Sequence, residues 1–370
     1  MKIERVEALS LAGSGDQGTY GAPYGLLARV TTDDGLVGWG EADSHPDMLK
    51  AVIEAPFHNE LMSGLAAVVV GRDARDTDGA WEAMARAVTN AGRDGVTRMA
   101  MAAIDVALWD IKGKAAGKPV HALLGTARRK ALPYYASHPL GETLEETAAH
   151  ARKVRGLGVP GCKFGWYPLG QDARQDEAIV ATLREALGPD IRLLIDGGLA
   201  FDAEGAIERT RMMARHGVYW LEEALPAYDV DGYRRLRRSA AVTIAAGEMA
   251  SDIGELSRLI LNGCVDVLQI DLARVGITQA LRVAEIAERH GVRCVNHTYT
   301  LDWNLAASLH VMAVIPSVDL FEYQVTPNEI RQSLVPERPK VAGGMIHVPD
   351  KPGLGADPDP EVLARFVQRS

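Results

Sequence analysis

A (β/α)8 barrel carried behind a smaller α+β domain is the fold class this sequence predicts, on three observations. After Gly125, short β-branched or aromatic runs recur, each followed by a helical stretch. Eight such runs are present, about 24 to 31 residues apart, which is the length of one βα unit and the number of units that closes a barrel. Before Gly125 strands come first and helices after, the order of a separate α+β unit.

The chain begins with period-two alternation from Ile3 to Leu9 and again from Leu26 to Val30. It then turns at Asp33-Asp34-Gly35 into the strand Val37-Gly38-Trp39-Gly40, so an antiparallel meander is expected. From about Pro46 to Leu124 the period becomes helical. It is clearest over 96–113, where Met99, Ala102, Ala103, Val106, Leu108 and Ile111 recur at three- and four-residue steps. Residues 1–125 are assigned to this first domain and 126–325 to the barrel, with strands over 132–137, 162–166, 193–197, 219–223, 243–248, 266–271, 293–297 and 319–323. The Pro- and Gly-rich tail, 326–370, is expected to return to the first domain. Gly13-Ser14-Gly15-Asp16-Gln17-Gly18 matches a dinucleotide-binding GxGxxG, but that motif needs a helix opening at its third glycine. Here Tyr20, Gly21, Pro23 and another strand follow, so the segment is read as a loop.

Bulk composition narrows the partners. At 370 residues and 47% hydrophobic content the chain can bury a large core. A net charge of −9 without a basic block argues against nucleic acid, whose binding rests on clustered Lys and Arg. The amino terminus has no apolar signal region, and no apolar run approaches bilayer length. Cys162, Cys264 and Cys294 lie far apart without metal-type spacing, as reduced, buried thiols of a cytoplasmic protein would.

Parallel barrel strands all end on one face, so polar residues at their C-terminal ends converge. The third, fourth and fifth runs end in Asp196, Glu222 with Glu223, and Glu248. For any one of them, capping of the next helix is an equally good account. Three from neighbouring strands would repel one another without a cation, and an all-oxygen ligand set suits Mg²⁺. A zinc-dependent hydrolase barrel would want paired histidines, and none of the ten histidines forms HxH or HExxH.

Lys163 on the second strand, Asp196, Glu222, Glu248, Asp271 on the sixth, His297 on the seventh and Glu322 on the eighth stand in an order that resembles the mandelate racemase branch of the enolase superfamily. The helix over 101–114, followed by Gly117-Lys118-Pro119-Val120-His121, is similar to the junction between that family's two domains, so the resemblance covers nearly the whole chain. It implies a capping α+β domain completed by the C-terminal tail, a modified (β/α)7β barrel, one Mg²⁺ per active site and removal of a proton alpha to a carboxylate.

The residue types suit that chemistry. Such a deprotonation builds a doubly charged enediolate, which positive charge must be aimed at in advance. Mg²⁺ on Asp196, Glu222 and Glu248 is expected to supply most of it, and Lys163 a second charge. Glu322, if protonated, is a hydrogen-bond donor to the oxyanion. His297 is the expected base and Asp271 its orienting partner. The muconate-cycloisomerase-like branch typically carries lysine at Asp271, so cycloisomerase and dipeptide-epimerase readings weaken.

One departure selects the reaction. Family members with two bases typically read Lys-x-Lys on the second strand, and this chain reads Lys163-Phe164-Gly165. Alternation puts 163 and 165 on one face, so a glycine stands where a second base would be. One-sided dehydration of a sugar acid, aldonate or aldarate, to a 2-keto-3-deoxy acid is therefore the expected activity. A racemase or epimerase is the alternative, and a non-catalytic barrel the third reading. Candidate substrate contacts are His138, His45, Tyr20 in the loop over 14–24, and Trp166. The expected partners are this small anionic substrate and further copies of the chain, with neither nucleic acid nor membrane.

Overall fold

The computed structural model describes residues 1–13 and 24–368. Strands β1 (Ile3–Ala12), β2 (Tyr24–Thr32) and β3 (Val37–Ala42) form the expected antiparallel meander. Helices α1 (Pro46–Glu54), α2 (Leu65–Val69), α3 (Thr77–Ala87), α4 (Val96–Ala116) and α5 (Val120–Leu124) follow. The sheet rests directly on α4, because β3 presents glycines there. A Cβ on Gly38 would stand 2.1 Å from the Ala107 carbonyl oxygen, and one on Gly40 1.9 Å from that of Ala103. The alanine-rich α4 is consequently buried almost all round, between the sheet and the second domain.

The second domain alternates strand and helix: β4 (Ala131–Pro139), α6 (Leu144–Arg155), β5 (Gly161–Gly165), α7 (Ala173–Leu187), β6 (Arg192–Asp196), α8 (Ala203–Arg215), β7 (Val218–Glu222) and α9 (Val230–Ser239). It continues through β8 (Thr243–Ala246), α10 (Ile253–Leu261), β9 (Val267–Asp271), α11 (Leu272–Arg289), β10 (Arg293–His297), α12 (Asp302–Val314) and β11 (Phe321–Gln324). Strands β4 to β10 pair in parallel with their sequence neighbours, and β11 pairs in parallel with β4. The seam between β10 and β11 is bridged by side chains: Asn296 Oδ1 accepts from Glu322 N at 2.8 Å, its Nδ2 donates to Glu322 O at 3.1 Å, and Thr298 Oγ1 donates to the same carbonyl at 2.9 Å. Seven βα units and a final strand make this a (β/α)7β barrel. The fifth strand stops at Ala246, short of the expected 248, because Gly247 turns the chain at φ +133° and gives its N–H to Glu223.

Inside the barrel Tyr135, Leu194, Trp220, Val267 and Val295 pack as one layer beneath the strand ends. The tail contains α13 (Glu329–Leu334), β12 (Val341–Ala342), β13 (Met345–His347) and α14 (Pro360–Phe366). Its hairpin extends the barrel sheet antiparallel to the start of β4, and its end reaches the first domain, where Gln368 N donates to Ser10 O at 2.9 Å. Nearby, His310 on α12 donates from Nε2 to the tail's Leu354 O at 3.2 Å, and its Nδ1 accepts from His121 N at 3.2 Å. Among the described residues no helix is long and apolar enough to cross a membrane. Residues 14–23, and Tyr20 with them, lie outside the described residues.

Candidate active site

At the C-terminal ends of the strands, Asp196 closes β6, Glu222 closes β7 and Glu248 follows β8. One carboxylate oxygen from each lies within 4.8 Å of the others, and all three side chains are buried. Asp196 is held by Trp166 Nε1 at 2.9 Å and Gly198 N at 2.9 Å, and Glu222 Oε2 by Trp220 Nε1 at 3.1 Å. Glu248 Oε2 has no hydrogen-bond donor. Burial first, and then mutual repulsion, push the three carboxyls up, Asp196 to about 6 and Glu222 and Glu248 to about 7. Three buried acids, one carrying an orphaned oxygen, are a donor set that a hard divalent cation satisfies, so these residues fit Mg²⁺.

Lys163 rises from β5 into the same cluster, 4% exposed on its side chain, in contact with Glu222 Oε1, 2.7 Å from Glu322 Oε1 and 3.8 Å from Asp196 Oδ2. Burial alone would depress it, but the surrounding carboxylates hold it well above the ordinary lysine range. Glu322, at the end of the eighth barrel strand, joins the same cluster. Its burial penalty is outweighed by Lys163 and His297, which hold it below the usual range, and it accepts from Lys163 Nζ and from Thr298 N at 2.9 Å. In this arrangement it pairs with Lys163 at 2.7 Å.

His297 ends β10. Its Nδ1 lies 2.6 Å from Asp271 Oδ2 at the end of β9, and its Nε2 is 3.4 Å from Glu248 Oε2 and 4.0 Å from Glu322 Oε2. Burial opposes protonation, yet Glu248, Glu322 and Asp271 together raise the ring to about 10. Across the cavity, a Cβ on Gly165 would stand 2.3 Å from Asp196 Cβ and 2.5 Å from Asp196 O. No side chain fits at 165 on this backbone.

Lys163, Gly165, Asp196, Glu248 and His297 line a cavity of about 570 Å³ between the strand ends and the first domain. A more open depression of about 640 Å³ lies at the other end of the barrel, away from every carboxylate just described. Trp166 borders the main cavity and is half-exposed, its ring nitrogen committed to Asp196. His138 also borders it, but Nδ1 donates to Pro139 O at 2.9 Å and the ring packs 4.4 Å from His150 on α6. His45 is exposed and does not line the cavity; its Nδ1 caps α1 by accepting from Asp47 N at 3.3 Å. Glu223, next to Glu222, turns away at φ +39° to accept from Gly247 N and Tyr233 Oη.

Several cavity residues had no sequence signal. Arg274 binds Asp43 of the first domain at 2.7 and 3.0 Å and stands 4.0 Å from Asp271. Glu41, at the end of β3, is buried against α12. Burial pushes it up to about 8, while hydrogen bonds from Thr300, Asn304 and Leu301 pull it down. Tyr299 and Gln324 complete the far wall. Only the fold brings these positions together.

Residues 146–362 match the family described as enolase C-terminal domain-like, and residues 17–125 the mandelate racemase / muconate lactonizing enzyme N-terminal domain. The chain is 31% identical over 354 residues to a D-galactarolactone cycloisomerase of Agrobacterium fabrum, covering 92% of this chain and 90% of that one. It is 30% identical over 373 residues to a D-mannonate dehydratase of Caulobacter vibrioides, covering 92% and 90%. The crystal structure of a racemase from Streptomyces coelicolor A3(2) with bound magnesium superposes with a TM-score of 0.88 at 25% identity, covering 99% of this chain and 100% of that one.

Proposed function

The chain belongs to the mandelate racemase / muconate lactonizing enzyme family of the enolase superfamily, and from that premise we propose that it dehydrates a sugar acid to a 2-keto-3-deoxy acid. The observation that carries this reading is an asymmetry: His297 faces the carboxylate cluster from one side, and the opposing Gly165 admits no side chain.

Lys163 pairs with the substrate carboxylate and holds the α-carbon toward His297. Nε2 takes the C2 proton, and the C2–H electrons become the C2–C3 double bond as the C3–O bond breaks. The same nitrogen returns its proton to the departing hydroxyl, which leaves as water, and the enol takes a proton at C3 to become the ketone. When held by Asp196, Glu222 and Glu248, Mg²⁺ supplies Lewis-acid charge that stabilises the developing dianion and offsets the carboxylates that keep His297 protonated. Asp271 keeps the ring upright and stabilises the imidazolium. Buried walls limit water around the charges, which strengthens each of these interactions.

The relative described as a D-galactarolactone cycloisomerase favours a second reading, in which the oxygen lost from C3 belongs to a ring and the substrate opens without releasing water. Racemisation would need a proton donor on the face opposite His297. A screen of mono- and diacid sugars and their lactones for 2-keto product, with and without Mg²⁺, tests the proposal. Product from an open-chain acid only when Mg²⁺ is present supports dehydration; product from lactones alone moves the second reading to first place.

A further inference from the structure

We infer that Glu41 and Asn304 are positioning residues through which the first domain aligns the His297–Asp271 pair; this rests on the reading of His297 as the base. Helix α12 starts from Leu301, whose own side chain provides no cap. In a capping box, the N–H groups of the N-cap and third helical residues are satisfied by the side chains of those same two positions. Here both go to one carboxylate from the other domain. Leu301 N donates to Glu41 Oε1 at 2.7 Å and Asn304 N donates to Glu41 Oε2 at 3.0 Å, across 260 and 263 residues of sequence. Glu41 is only 1% exposed, so this contact is sealed from solvent.

With its backbone held there, Asn304 reaches the pair directly. Its Nδ2 donates to Asp271 Oδ1 at 2.9 Å, and Ser308 Oγ donates to its Oδ1 at 3.3 Å, which sets the amide the right way round. Asp271 Oδ1 also accepts from Ala273 N at 2.8 Å, leaving Oδ2 for His297. The terminal torsion of an aspartate is soft, so a carboxylate plane needs more than one donor to hold it. Without Asn304 the plane is free to tilt about the Ala273 bond, and Nε2 swings with it. Displacements of that kind near a reacting proton cost rate more than binding. The first domain thus contributes to proton transfer without touching the substrate.

The test uses the full-length, Mg²⁺-loaded protein and three variants, Asn304→Ala, Glu41→Gln and His297→Asn. The first readout needs no substrate: the downfield imidazole Nδ1–H resonance, assigned by its loss in His297→Asn, should shift in Asn304→Ala. The second is kinetic. Asn304→Ala should lower kcat on the order of ten- to a hundred-fold with KM held within about two-fold. Glu41→Gln, which keeps one acceptor, should move both readouts the same way by less. Should Asn304→Ala not fold, Asn304→Ser, with a shorter donor, carries the same comparison. An unmoved resonance with unchanged kcat overturns the inference, as does a loss that appears only in KM or thermal stability. Persistent α-proton exchange in His297→Asn would sink the reading of the base itself, a separate failure.

Discussion

Asp271 Oδ2 stands 2.6 Å from His297 Nδ1, so the ring is gripped from behind while Nε2 faces Glu248 at 3.4 Å. This contact decides which nitrogen carries the proton. An aspartate accepts from Nδ1–H and leaves Nε2 as the base, whereas an asparagine can donate to Nδ1 and force the proton onto Nε2. Asp271→Asn should therefore lose turnover by roughly 10²- to 10⁴-fold, with Mg²⁺ affinity nearly unchanged. Steady-state kinetics beside a calorimetric Mg²⁺ titration check it; an active Asp271→Asn would mean that the pair is structural.

Removing one ligand leaves the other two acids under-neutralised. Asp196→Asn, Glu222→Gln and Glu248→Gln should each abolish turnover and weaken Mg²⁺ binding with little loss of fold. EDTA-treated protein should be inactive and recover on adding Mg²⁺, as activity assays and circular dichroism would report. Full activity after EDTA would make the metal proposal wrong.

Gly165 is needed for space as much as for an absent base. Because a Cβ there would stand 2.3 Å from Asp196 Cβ, a side chain must push β6 outward and carry a candidate ligand with it. Gly165→Ala should weaken Mg²⁺ binding by at least about ten-fold, and Gly165→Lys should do so without creating a racemase. A Gly165→Lys protein that bound Mg²⁺ normally and inverted C2 would contradict this.

His310 sets a pH dependence remote from the chemistry. Burial first lowers its ring from 6.5 to about 3, so the folded protein keeps it neutral where the unfolded chain would be charged. Its contribution is intact above about 6.5 and is lost as pH falls toward 3, by up to about 1.4 kcal/mol per pH unit. Urea unfolding at several pH values should show that limb, and His310→Gln, though less stable at neutral pH, should flatten it. An unchanged slope would mean that the ring titrates normally.

The strand runs were legible because each had its own period and flanking helix, and the converging carboxylates because parallel strands must end on one face. The exact extent of β8 was not, since Gly247 stops it by turning toward Glu223, a contact across strands. Nor was the pairing of Glu322 with Lys163, which stands six strands earlier in the chain. Glu41, Asn304 and Arg274 carried no local pattern because their partners lie more than 30 residues away in sequence. The cap that His45 gives α1 also rests on short-range geometry, which the sequence pattern did not single out.

The most direct test of one-sided elimination is to follow wild-type and His297→Asn protein in D₂O with Mg²⁺, using a sugar acid found by the screen and an analogue that cannot eliminate. Wild type should incorporate deuterium at C3 of the 2-keto product and should not invert C2 of the analogue, while His297→Asn should neither turn over nor exchange the α-proton. Rapid C2 inversion by wild type, or exchange persisting in His297→Asn, would show a second base at work and contradict the account.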